Sequence, residues 1–183
     1  MAAPDPDWAQ ILLDFWFVEL SDSDWFKPGP SVDRAIQERF ETTLTALADT
    51  SLVEFLADPI IARAAILLFD QLPRNLYRGS ARAFAYDGKA LALAKGIIAR
   101  SWDEQLPDRE RQFVAMPLMH SEDPADQEAS VTYFSKYLPD NLSFAQKHRE
   151  MIIRFGRFPH RNVALGRKTT KAEQVAIDEG FSW

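Results

Sequence analysis

Two stretches of this chain gather the residue types that bind anions. The first is Arg154-Phe155-Gly156-Arg157-Phe158-Pro159-His160-Arg161-Asn162, with Arg167 shortly after it. A guanidinium presents a rigid fork of donors that matches a carboxylate or a phosphate. His160 carries an imidazole, which changes charge near neutrality and can serve as a general base. Phe155 and Phe158 can exclude water from such a site. The second stretch is Asp70-Gln71-Leu72-Pro73-Arg74-Asn75-Leu76-Tyr77-Arg78-Gly79. Asp70 follows the apolar run Ala64–Phe69, so it is expected to be buried and to need a cation. Arg74, Arg78 or an arginine of the later stretch could supply it, and the last option predicts that the two stretches meet. A third piece, Met116-Pro117-Leu118-Met119-His120-Ser121-Glu122-Asp123, sets His120 at a helix-to-loop junction.

Together these residues point to a small anionic ligand, a carboxylate or a phosphate, in an Arg/His-lined pocket. Arg74, Arg154, Arg157 and Arg161 would form its cationic wall, with Asn162 beside them and Asp70 orienting an arginine. Trp16 and Trp25 are candidate apolar walls. If the site is catalytic, hydrolysis makes the least demand, with His120 or His160 as base. Arg157 or Arg161 is expected to serve the ligand, and Phe155 and Pro159 the scaffold. A different reading is a helical scaffold whose concave groove clamps the carboxylate of a peptide or protein partner. The plain structural alternative competes with both: the arginines are ion-pair anchors and the histidines satisfied loop residues. No HxH or HxxxH spacing supports a metal site, no cofactor motif is present, and a Ser121–His–Asp70 triad has no nucleophile-elbow sequence.

The balance of charge constrains partners. The net charge is −6, yet the segment from Arg74 to Arg100 carries six Lys/Arg and one acid, and that from Lys147 to Lys171 eight Lys/Arg and one acid. An acidic chain with a pI near 5.1 speaks against nucleic acid as partner. The absence of Cys excludes disulfides and thiolate sites and fits a reducing compartment. No apolar run reaches the ~20 residues of a membrane span, and the acidic start lacks the basic end of a signal peptide, so a cytoplasmic protein is expected.

The elements that must position these residues are read as helices throughout. Trp8, Ile11, Leu12, Phe15 and Trp16 recur at helical spacing, as do Val32, Ile36, Phe40, Leu44 and Leu47 after a loop over Ser21–Pro30. Asp58–Pro59 and Asp123–Pro124 are caps followed by proline. Pro73 is expected to stop the helix before it, because it lacks an amide hydrogen. Further helices are expected after Ser80, Asp87 and Asp108. Leu142–Phe155 should end at Gly156, and Thr170-Lys171-Ala172-Glu173 has the capping-box pattern. No alternating strand pattern appears. The expectation is one all-α domain over residues 1–183 built of antiparallel helix pairs.

The motifs Asp70–Asn75, Met116–Glu122 and Arg154–Asn162, with Asp14-Phe15-Trp16-Phe17 and Trp25-Phe26, resemble the signatures of the bacterial "domain of unknown function 924" family. Leu72, where the family often has Phe, is a conservative departure. The resemblance implies a tetratricopeptide-like superhelical arrangement of antiparallel helices. It implies no activity, so these residues carry over as signature positions only.

Overall fold

The computed structural model describes residues 5–26 and 29–181. Among these residues the chain is all-α, with no strand. Contact density divides the chain into two compact units, one holding Met1–Arg78 and Arg82–Val114, the other 79–81 and 115–183.

The first unit starts with α1 (Trp8–Asp14), which widens into a π-type turn over Phe15–Glu19. The segment read as a loop contains a short helix, α2 (Asp22–Phe26). Acids in its first turn favour it. The buried Trp25 also ties it down, its indole N–H donating to the Trp16 carbonyl at 2.8 Å. Pro28, part of the same expected loop, lies outside the described residues. Then come α3 (Pro30–Leu47), α4 (Leu52–Phe55) and α5 (Pro59–Ile66), with Asp58 capping α5 through the amides of Ile60 and Ile61.

Pro73 does not stop this helix. A π-type turn over Leu67–Gln71 follows α5 directly and leads into α6 (Leu72–Leu76). The Leu72 amide donates to Leu67, five residues back, so the ladder is already shifted where proline withdraws its amide. A 3-10 turn (Ala81–Phe84) precedes α7 (Asp87–Ile98), so Ser80 opens a turn rather than a full helix. Helix α5 packs on α1 and α7, and α6 on α3. Gly96 of α7 lets Leu56 approach closely: a Cβ there would lie 2.6 Å from a Leu56 methyl, so that side chain would have to shift. An aromatic network that includes Trp16, Trp25 and Phe113 fills part of this core.

Helix α8 (Asp108–Met119) carries the chain across the division. In the second unit, α9 (Pro124–Tyr137) and α10 (Leu142–Phe155) are joined by a 3-10 turn (Pro139–Asn141) and pack closely. The Arg149–Glu128 ion pair fits an antiparallel register. Gly156 ends α10 in the left-handed region at φ 66°. A 3-10 turn (Pro159–Arg161) follows, packed by α11 (Lys171–Asp178), whose capping box at Thr170 and Glu173 is formed. Met151, Ile152, Phe158 and Ala176 make a small core there. No described helix is long and apolar enough to cross a membrane.

Candidate functional site

Asp70 sits on the widened turn of the first unit with no exposed surface. Its cation is Arg74, one turn on, at 3.3 Å, and the same guanidinium caps the Asp70 carbonyl and reaches Asp87 at 3.1 Å. The neighbouring Gln71 amide also donates to the Asp70 carboxylate. Of the cations the sequence offered for Asp70, Arg74 is therefore one that serves it. Trp16 and Trp25 belong to the same unit and are buried, packed edge-on against Phe113.

The second unit holds His120, His160, Arg154, Arg157, Arg161 and Asn162. Phe158, fully buried, is its pivot. The Arg161 guanidinium lies 4.6 Å over the Phe158 ring and donates to the His120 carbonyl at 3.0 Å. Ring centroids of His148 and His160 stand 5.5 and 5.7 Å from that of Phe158, and His120 stands 6.1 Å from His148. All three histidines of the chain therefore gather in one place.

His148 was not among the expected site residues. Its signal lay in the apolar register of α10, where Ala145, His148 and Ile152 share the buried face. Burial, then the neighbouring His120, pushes its pKa down to about 3. Its Nδ1 lies 2.8 Å from the Phe144 carbonyl. A carbonyl only accepts, so that nitrogen bears the proton and Nε2 keeps the lone pair.

Two acids organise the arginines. Glu122 accepts the Phe158 amide at 2.9 Å and a bidentate fork from Arg167 at 2.8 Å on each side. Burial raises its pKa, but the Arg167 hydrogen bonds and the Phe158 amide outweigh it, and the net shift is downward. Glu173 accepts Arg157 at 2.7 and 3.1 Å while also closing the capping box onto Thr170. Arg157 holds its pKa at about 2. The buried Asn162 amide adds to this effect, although its geometry falls short of a full hydrogen bond. Arg157 further donates to the Lys168 carbonyl, so most of its fork is already engaged. Arg154 is exposed, pairs with Glu150 on the same helix and covers Phe155.

These residues and the overall chain decide the family. Residues 12–180 match the model of the bacterial proteins of unknown function called DUF924. The chain belongs to this family. A solved structure of a protein of unknown function from Agrobacterium tumefaciens is similar, with 34% identity and a TM-score of 0.87 over 94% of this chain and 97% of that one. No curated protein matches. The matched residues include both motifs.

The geometry also bears on the triad. The Ser121 hydroxyl donates to Asp126 at 2.8 Å and accepts from the Asp123 amide, which is a loop-closing role. Among the described residues no group of three His, Asp or Glu could hold a metal ion.

Proposed function

We propose that the second unit binds a small anionic molecule, bearing a carboxylate or phosphate, against Arg161, His120 and His160. The observation that carries this reading is that two imidazoles, His148 and His160, and the buried Arg161 converge on the Phe158 ring, with the third imidazole, His120, against His148. A charge buried beside aromatic carbon acts through a low local dielectric, so it attracts an anion more strongly than a surface arginine does. Two further buried atoms of this unit, Gln127 Oε1 and Ser130 Oγ, have no hydrogen-bond partner among the described residues. Buried polar atoms are normally satisfied, and a bound polar molecule is one way to satisfy them. If chemistry follows binding, it is hydrolysis, with His120 or His160 taking the proton of water. His148, with so low a pKa, is too weak a base and instead orients its neighbours.

The test is a thermal-shift series with phosphate and succinate against chloride at equal ionic strength. Wild type should melt higher in the specific anion, by about 2.7 kcal/mol of stability at 100 times the dissociation constant. His120→Gln and His160→Gln should each remove the anion-specific part and leave the general salt effect. Equal melting in all three salts would sink the reading.

A second reading is the scaffold for a peptide or protein partner, to which the tetratricopeptide-like arrangement belongs. It draws on the exposed Ile153, Val163 and Val175 of the second unit, which are 65%, 86% and 52% exposed. It would gain if partner peptides, and no small anion, shifted the melting temperature. A cytoplasmic location remains part of both readings.

A further inference from the structure

A cleft of about 550 Å³ opens on the first unit between α3 and the end of α6. Its polar lining is Asp33, Arg34 and Gln37 from α3, faced by Asn75 and Arg78. Pro30 and Leu76 supply apolar wall. Small-molecule sites combine this kind of volume with a few convergent polar groups.

The hydrogen bonds within the cleft fix what it can still bind. Asp33 is the acid in it, and its carboxylate is already held by the Asn75 amide at 2.8 Å and by Arg78 at 3.0 and 3.1 Å. Arg78 spends a single nitrogen, Nη2, on both carboxylate oxygens. Its Nε and Nη1 take no hydrogen-bond partner among the described residues. Arg34, exposed on the same wall, makes no ion pair among them. One acid therefore faces two guanidinium groups, and it acts as a splint that holds Arg78 in place while leaving part of its fork open. A guanidinium fork with unspent donors recognises a planar or tetrahedral oxyanion. The Gln37 amide adds a neutral donor at the rim.

We propose that this cleft binds a small molecule through a carboxylate or phosphate group held by Arg34 and Arg78, with its apolar remainder against Pro30 and Leu76. The site is independent of the one proposed for the second unit, since it uses other residues in another unit. Sequence reading missed it because Asp33 and Arg34 lie far from Arg78 in the chain and belong to no motif.

The experiment follows backbone amide chemical shifts by NMR during titrations with inorganic phosphate and, separately, succinate, with chloride balancing ionic strength. The two arms distinguish a phosphate from a carboxylate site. The expected result is saturable shifts in residues 31–37 and 75–78 with at least one anion. Arg34→Gln should weaken the apparent dissociation constant about ten-fold, the scale of one lost charge-assisted hydrogen bond, while the melting temperature stays put. Arg34 makes no ion pair among the described residues, so the variant keeps the fold. Saturable shifts confined to 120–122 and 157–162 would overturn the cleft and leave the second-unit reading standing. Shifts that match chloride, or an Arg34→Gln affinity equal to wild type, would overturn the cleft as well.

Discussion

The two arginine motifs solve the same electrostatic problem in different ways. In the first unit Asp70 is wholly buried and its partner Arg74 comes from the next turn of the same helical run. Little is left over: Arg74 also serves the Asp70 carbonyl and Asp87. In the second unit the acids arrive from a distance. Glu122 meets Arg167 across 45 residues, and Glu173 meets Arg157 across 16. Those pairs clip the chain after α10 into place, and Arg161 lies over an aromatic ring near histidines. A locally closed pair stabilises and offers a ligand nothing. A site needs cations whose positions are fixed by something other than the full use of their own donors, as with Arg78 in the cleft.

This contrast orders the expected effects of substitution. Arg74→Ala should be among the most damaging, about 3–5 kcal/mol, because it strands the buried Asp70 charge. Denaturant unfolding reads it directly, and a loss under 1 kcal/mol would mean that Gln71 and the other groups around Asp70 satisfy the acid without Arg74. Phe158→Ala should cost a similar amount, about 3–5 kcal/mol, since the ring is fully buried under Arg161. Phe155→Ala should cost clearly less, because Phe155 is only half-buried against the same cluster. Phe155 packs against the cluster as a scaffold residue, and Phe158 is the more deeply buried of the two.

Acid should loosen the second unit through His148. Its folded pKa of about 3 lies below the unfolded value near 6.5, so the unfolded chain binds the extra proton between those limits. That stability is complete above about pH 6.5 and is lost as pH falls toward 3, at up to ~1.4 kcal/mol per pH unit. Glu173, held at about 2, adds a loss of the same sign below its unfolded pKa of 4.5. Amide exchange at pH 5 should therefore show α10 losing protection, and His148→Gln should flatten the slope of stability between pH 5 and 6.5. An unchanged slope in that variant would remove His148 as its source.

Smaller effects separate the remaining arginines. Arg157→Ala should cost about 1–2 kcal/mol, because it leaves the buried Glu173 with Thr170 as its main donor. Arg154→Ala, breaking an exposed pair within one helix, should cost less than about 0.5 kcal/mol. If thermal melts place the two variants together, Arg157 does not anchor α11 as the geometry indicates.

Much of the helical scaffold was legible in the residues alone. Asp58 and Asp123 cap as expected, Thr170 and Glu173 close their box, and Gly156 takes the left-handed turn, because each depends on neighbours a few residues away. Pro73 misled for a related reason: its own chemistry breaks an ordinary helix, and only the wide turn before it, packed against α3 and α7, let the chain continue. Composition and short-range spacing determined the all-α class, the main helix boundaries and the two motifs. Tertiary structure decided that Asp70 closes on Arg74, that Glu122 and Glu173 hold Arg167 and Arg157, that His148 and His160 gather at Phe158 with His120 beside His148, and that Asp33 splints Arg78 beside Arg34. Capping is a contest between a side chain and adjacent amides, settled locally. Long-range ion pairing is settled by which charges burial brings together, and linear spacing carries no record of that.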